Sequence, residues 1–352
     1  MALLRIPNVS LRGISACVPK NVVSNHDYSW ISVKEREQII KTVGVETKRL
    51  APIGITTGDL GLVAAEKLIE ELNWNKEEID LLIFVSQSRD YLLPATACIL
   101  QDKLKLPKTT MALDISLGCS GYVYGLSVMS SLLSSGLMKK GLLIVGDTST
   151  YSSYRDKTSY PLFGDAACVT ALEYAKGNED IFFNLQTDGS GYEAIIVRGG
   201  GARMYPDKKL LKYKSYGKGI IRNMLQPQLK GIEVFNFSLR EVVPNIQELL
   251  AFSGHELNKT DYFVLHQANR LINETIRKLL KVEKEKWPYS IHKYGNTSSA
   301  SIPLTIVSEL KNETRDRKLK MILCGFGVGL SWGSVLIETE GVICPEVIEH
   351  AC

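Results

Sequence analysis

The chain reads as an α/β fold written twice. Apolar runs with strand character alternate with helical stretches along most of its 352 residues, the pattern of helices layered on sheets. The two halves echo each other at a nearly constant offset, the signature of an internal repeat. With 45% hydrophobic residues the chain can bury a large core, as one big domain or two moderate ones.

Four runs predict buried strands: IDLLIFVSQ (79–87), GLLIVGDTS (141–149), DYFVLHQAN (261–269) and LKMILCGFG (319–327). Helical patterns precede or follow them, over 60–73, 96–105, 122–135, 242–253 and 271–281. The repeat appears in three places. EEIDLLIFVSQ resembles NKTDYFVLHQ and pairs Ser86 with His266, 180 residues apart. LLIVGD resembles MILCGF and pairs Gly146 with Gly325, 179 apart. LGCSGYVYGLSV resembles YGNTSSASIPLT and pairs Cys119 with Asn296, 177 apart. Three near-equal offsets in one order predict a duplicated core, with halves near 1–174 and 175–352.

Composition excludes several classes. A net charge of +4 is too mild for bulk nucleic-acid binding. Seven cysteines (Cys17, Cys98, Cys119, Cys168, Cys324, Cys344 and Cys352) are an odd number without a C-x-x-C pair. That argues against a disulfide framework or a zinc site and for a reducing cytosol. The opening MALLRIPNVSLRG has no signal-peptide pattern, and no apolar run approaches the roughly 18–20 residues of a membrane span. A soluble cytoplasmic protein is the expectation.

The duplication has a chemical consequence. Cys119 and Asn296 each follow a glycine or a Gly-containing turn and each open a small-residue helix. About a pseudo-twofold axis, both helix starts point at one centre, where His266 also ends a buried strand. Thiolate is the nucleophilic form of cysteine, and a helix N-terminus favours it, predicting a lowered thiol pKa at Cys119. Gly118 and Gly121 allow a tight turn and a close substrate approach. Taken singly, each residue has a plainer reading: a packed cysteine, a hydrogen-bonded core histidine, an N-capping asparagine. Taken together, they predict a site, and the other six cysteines are read as structural.

At these residues the chain resembles the β-ketoacyl-acyl carrier protein synthase III family of the thiolase-like superfamily. GCSGYVYGLS is similar to the family's nucleophile motif, HQAN and YGNTSSASIP to its histidine and asparagine motifs, and LFGDAA (162–167) and GFGVGLSWGSVLIE (325–338) to two further segments. The resemblance implies a duplicated five-layer α/β/α/β/α thiolase-like fold, usually a homodimer. It implies that Cys119 takes an acyl group from a thioester, that His266 and Asn296 stabilise the enolate left when a malonyl thioester loses carbon dioxide, and that no metal or redox cofactor is needed. The substrates would be acyl-coenzyme A or acyl-carrier protein and malonyl-carrier protein. The backbone N–H groups of Cys119 and Val328 would form the oxyanion hole, although Val328 stands where better-known members carry glycine and would be strained if φ there is positive. Leu92 and Leu93 match a segment that reaches across the family's dimer and are read as an acyl-pocket wall.

Elsewhere the chain departs from the family pattern. Gln38 and Thr42 stand where a tryptophan and an arginine usually hold coenzyme A, and Lys157 where another nucleotide-contacting arginine would be. An insertion at 202–231 carries eight Lys/Arg against one acid, Asp207. It is read either as a solvated, mobile loop or, through Lys208, Lys209 and Lys212, as a docking surface for an acidic acyl carrier protein. Arg270 and Arg277 are further docking candidates. Three rival functions remain in view. An acyltransferase to an alcohol or amine on the same fold would not need Asn296. A papain-like hydrolase shares the order Cys, His, Asn but lacks its local signature and any place for the repeat. A non-catalytic partner subunit would not need all three residues.

Overall fold

The computed structural model describes residues 2–149 and 152–351; Cys352 lies outside them. In chain order the principal elements are β1 (Ala2–Ile6), β2 (Val9–Pro19), α1 (Val33–Val43), α2 (Thr57–Glu71), β3 (Ile79–Val85), α3 (Thr96–Lys103), β4 (Met111–Ile115), α4 (Gly121–Leu133), β5 (Lys140–Asp147), β6 (Ala166–Tyr174), β7 (Ile181–Thr187), α5 (Gly231–Ser253), β8 (Tyr262–Leu265), α6 (Arg270–Leu279), α7 (Ser301–Glu309), β9 (Leu319–Gly327), β10 (Ser331–Thr339) and β11 (Ile348–His350). One sheet has the order β11-β2-β6-β5-β3-β4 and the other β1-β7-β10-β9-β8. The run β3-β5-β6-β2 repeats as β8-β9-β10-β7, with the first pair parallel and the next two antiparallel in both sheets. The first strand joins the second sheet and the last strand joins the first, tying the two together.

The strands are apolar without a break because both faces of each sheet are covered. Ile83 and Val85 of β3, with Met321 and Leu323 of β9, face a central core shared with Val123, Leu126, Ile302 and Ile306 of α4 and α7. Leu82 and Phe84 face outward onto Leu60, Ala64 and Leu68 of α2. Ile322 and Cys324 face outward onto Phe237, Val242 and Ile246 of α5. The layers therefore run α2 and α3, sheet, α4 and α7, sheet, α5 and α6: five layers of the thiolase-like kind. α2 begins on a reciprocal cap, Thr56 accepting the Asp59 N–H at 3.1 Å while the Asp59 carboxylate accepts the Thr56 N–H at 3.1 Å.

Two boundaries differ from expectation by four residues or more. α5 starts at Gly231 rather than 242, because the helix runs through Pro244. Proline removes an N–H and normally marks a helix start; here it sits on the exposed face, where water can serve the Arg240 carbonyl it leaves unpaired. The strand expected over 261–269 stops at Leu265, because Asn269 caps α6 by accepting the Ile272 N–H at 2.8 Å.

Candidate functional site

A cavity of about 640 Å³ opens where the two central helices begin, and Cys119, His266 and Asn296 all line it. Cys119 lies just before α4, in a turn closed by the Gly121 N–H to the Gly118 carbonyl at 2.6 Å. The next residue, Ser120, is buried against Ser331, Oγ to Oγ 2.6 Å. The backbone approaches closely here: a Cβ on Gly327, where φ is +156°, would sit 3.0 Å from the Cys119 sulfur. Val328 is not among the residues with positive φ, which fall instead on Gly327 and Gly329 on either side. The valine is thus unstrained, and its N–H is directed at the thiol.

Cys119 keeps partial exposure only to this cavity. Burial pushes its thiol up to about 11, with the nearby Asp147 carboxylate adding to the rise and the Val328 N–H opposing it. The expectation of a lowered thiol pKa is therefore corrected: removing the charged form from water outweighs the helix start.

His266 follows β8, anchored by its N–H to the Cys324 carbonyl at 2.8 Å. Burial drives its ring down to about 3, so it is neutral. Its Nδ1 lies 2.7 Å from Ser301 Oγ. That oxygen also accepts the Gln267 N–H at 3.3 Å; in the tautomer with the ring proton on Nε2 it donates its own proton to Nδ1. The edge of Phe326 packs on the ring, centroids 5.6 Å apart. Asn296 is held at both backbone groups, its N–H on the Leu162 carbonyl at 2.9 Å and its carbonyl accepting the Gly164 N–H at 3.1 Å. Its Oδ1 accepts the Ser298 N–H at 2.9 Å and its Nδ2 donates to the Ala268 carbonyl at 3.2 Å. Nδ2 and His266 Nε2 lie 3.4 Å apart; with the ring proton on Nε2 they are two donors side by side, able to bind one oxygen between them.

Other candidates fall elsewhere. Leu92 and Leu93 are 67% and 84% exposed and do not line this chain's cavity. They follow β3, in the segment expected to reach across a dimer. Ile195, Ile196, Leu229, Val234 and Ile272 supply apolar lining instead. Lys157 is paired with Glu35, and Arg277 with Glu274 at 2.9 Å while donating to the Val282 carbonyl at 2.7 Å. Neither is a free cation. Lys208, Lys209, Lys212 and Arg270 are exposed, and Arg270 packs against Gly44 beside the cavity-lining Val43 and Asn269. The insertion is not a loose loop. Arg222 forms a buried pair with Asp156 at 3.0 Å, the Ile221 N–H reaches the Arg155 carbonyl at 2.8 Å, and the Trp30 indole reaches the Gly219 carbonyl at 2.9 Å. Its base pairs Gln228 and Leu229 with Ile195 and Ile196 over the cavity.

Sequence reasoning missed Asp147, Ser298 and Ser301. The one available signal was Asp147 itself, a carboxylate directly after the repeat glycine Gly146 at the end of an apolar strand. Among the described residues no His/Cys/Asp/Glu cluster could hold a metal ion, and no helix is long and apolar enough to cross a membrane.

Residues 113–189 match the family model described as 3-oxoacyl-[acyl-carrier-protein (ACP)] synthase III, and residues 250–339 match its C-terminal counterpart. A β-ketoacyl-[acyl-carrier-protein] synthase III of Aliarcobacter butzleri is 34% identical, over 94% of this chain and 97% of the relative. The chain belongs to the β-ketoacyl-acyl carrier protein synthase III family. A second family member, from Bacillus cereus, is 31% identical over 94% of this chain and 99% of its own length. The crystal structure of a 3-oxoacyl-(acyl-carrier protein) synthase from Burkholderia xenovorans superposes with a TM-score of 0.93 at 36% identity, over 99% of both chains. The family's fold and the two-sheet, five-layer arrangement found here agree.

Proposed function

We infer that the chain is a condensing acyltransferase that joins a cysteine-bound acyl group to malonyl-acyl carrier protein, releasing carbon dioxide and giving 3-oxoacyl-acyl carrier protein. The observation that carries this reading is the pair His266 Nε2 and Asn296 Nδ2, set 3.4 Å apart in the cavity that Cys119 lines; with its proton on Nε2, the ring joins the amide as a second donor. Such a pair suits an oxygen that gains negative charge, and preorganised donors act most strongly in a water-poor site. A simple hydrolase or acyltransferase, whose tetrahedral oxyanion the Cys119 and Val328 N–H groups already meet, has no need of this second pair.

Cys119 sulfur attacks the donor thioester, the tetrahedral oxyanion being met by the N–H groups of Cys119 and Val328, and the donor thiol leaves. The malonyl thioester then places its carbonyl oxygen between His266 and Asn296. As carbon dioxide departs, the electron pair moves onto that oxygen. The enolate carbon attacks the acyl-cysteine carbonyl, and the carbon–sulfur bond to Cys119 breaks. Because His266 is neutral and keeps its Nε2 proton, it stabilises the enolate by a hydrogen bond and does not protonate it away. The residues named and the substrates' own thioesters carry the reaction, with no cofactor.

The exposed Tyr91, Leu92 and Leu93 suit contact with a second copy, where they would complete its acyl pocket as a homodimer. The exposed Lys208, Lys209 and Lys212, and Arg270 next to the cavity-lining Asn269, suit an acidic carrier protein, while the pairing of Lys157 with Glu35 leaves little to hold a nucleotide phosphate. The two sheets suit a division into halves near 1–174 and 175–352, and a cytoplasmic setting suits the buried thiols. The test is intact-protein mass after exposure to acyl-coenzyme A and acyl-carrier donors, followed by a malonyl-carrier chase. An adduct lost in Cys119→Ala, and discharged by the chase with 3-oxoacyl-carrier formed, is the expected result. An adduct that survives the chase but leaves with an alcohol or amine would turn the reading to plain acyl transfer.

A further inference from the structure

One buried charge takes no part in the steps above. Lys48 is the middle residue of a short strand, Thr47–Arg49, and is 1% exposed. Its ammonium donates to the Tyr160 carbonyl and lies 3.8 Å from the centre of the Tyr160 ring. The acid whose charge acts on it, Asp165, is engaged elsewhere: Oδ2 accepts the Ala51 N–H at 2.8 Å, and Oδ1 accepts the Ser149 N–H and hydroxyl at 2.6 Å each. Burial pushes the Lys48 amine down to about 7, with Asp165 opposing the fall. An ammonium is costly to bury, and an apolar side chain would fill the same space without that cost. What the charged head holds in place therefore matters.

The strand of Lys48 sits behind Asn296. The Thr47 hydroxyl donates to the Lys293 carbonyl at 3.1 Å, and the Arg49 carbonyl accepts the Asp165 N–H at 2.8 Å. The strand thus spans the two segments that pair Phe163 with Asn296. The Lys48 stem packs on the two glycines beside that pair. A Cβ on Gly164 would lie 3.3 Å from the Lys48 Cβ, and one on Gly295 3.4 Å. The head then reaches Tyr160, in a turn tied by the Tyr160 N–H to the Asp156 carbonyl at 3.0 Å and the Leu162 N–H to the Ser159 carbonyl at 3.1 Å. That turn carries the Leu162 carbonyl, which holds the Asn296 N–H at 2.9 Å. Stem and head of one side chain therefore hold both segments on which the placing of Asn296 depends.

We propose that Lys48 is a positioning residue for condensation, holding the 160–164 turn so that Asn296 Nδ2 stays beside His266 Nε2. The proposal rests on the reading of that pair as the enolate site. Lys48 does not line the cavity, so it acts only through the backbone that carries Asn296. A donor displaced by about 1 Å can forfeit most of its effect on a reacting group. Acylation of Cys119 makes no use of Asn296, so loss of the ammonium should separate the two half-reactions. A lysine that merely supports the fold would weaken both.

The test compares the wild type, Lys48→Met, Asn296→Ala and the double variant, with melting temperature as a folding control. Methionine keeps an unbranched stem and removes the charged head. Acylation is timed by intact mass, and discharge of the acyl-enzyme is timed over a range of malonyl-carrier protein concentrations. Lys48→Met is expected to acylate at about the wild-type rate. Its discharge at saturating malonyl-carrier protein should be at least about tenfold slower, with the half-saturating concentration little changed. In the Asn296→Ala background the same substitution should slow discharge by no more than about twofold, because the group it positions is already gone. Unchanged discharge, equal loss of acylation and discharge, or the full tenfold loss in the Asn296→Ala background would overturn the proposal. Should Lys48→Met not fold, Tyr160→Leu decides by the same comparison, since it removes only the ring beneath the ammonium. Wild-type enzyme that does not discharge its acyl group to malonyl-carrier protein would overturn the functional reading and this proposal with it. Normal wild-type discharge with an unaffected variant would overturn this proposal alone.

Discussion

Cys119 and His266 are driven to their neutral forms by the same enclosure, and the consequences differ. A neutral thiol must lose a proton before it attacks, whereas a neutral imidazole with its proton on Nε2 is ready to donate a hydrogen bond. Asn296→Ala removes one of the two donors to the enolate. It should still take an acyl group at close to the wild-type rate but condense about 10²–10³-fold more slowly, checked by timing the malonyl chase against the acylation burst. The His266 ring also couples to stability. It titrates near 6.5 in an unfolded chain and near 3 when folded, so between those values the unfolded chain binds the extra proton. Stability should fall as pH drops from about 6.5 towards about 3, by up to about 1.4 kcal/mol per pH unit. His266→Gln should flatten that acid limb in urea titrations, and an unchanged slope would exclude His266 as its source. Cys119, His266 and Asn296 were legible in the sequence because the repeat singled them out together. Ser298 was not, because its N–H reaches Asn296 Oδ1 from a left-handed backbone conformation that no spacing encodes.

The elements place these groups by close backbone approach as much as by side chains. β9 ends at Gly327, pressed against Cys119 at a φ of +156°, and a methyl group there would meet the Cys119 Cβ at 2.7 Å and its sulfur at 3.0 Å. Gly327→Ala should cost about 1–3 kcal/mol from the backbone conformation alone and slow acylation by at least about tenfold by displacing the thiol. Denaturant midpoints and the rate of mass gain on Cys119 would check the two effects separately. Most strands and helices could be read from apolar runs, since strands covered on both faces carry a continuous signal. The start of α5 could not, because Pro244 imitates a helix start, and only its place on the solvent side reveals that the helix continues behind it. The end of β8 was likewise hidden, because the Asn269 cap of α6 directly follows an apolar, strand-like run.

At the scale of the whole molecule, the segment 202–231 stands apart by charge, with eight Lys/Arg against one acid. It is stitched to the 152–158 segment by the buried Arg222–Asp156 pair and to Trp30, and its base roofs the cavity. Fixed in this way, Lys208, Lys209 and Lys212 present a stable basic face. Replacing all three by Gln should raise KM several-fold for carrier-bound substrate and weaken its dependence on salt, with kcat little changed. Equal KM values at low salt would leave that face without a docking role. The sequence by itself determined the α/β layering, the duplication and the trio Cys119, His266 and Asn296, because periodicity, repeat offset and local motifs are all written along the chain. The tertiary structure decided the charge state of the thiol, the unstrained geometry of Val328, the exposure of Leu92 and Leu93, the pinned insertion and the carboxylate behind the nucleophile. Each of these depends on burial or on contact between segments distant in the chain, and a linear pattern carries neither.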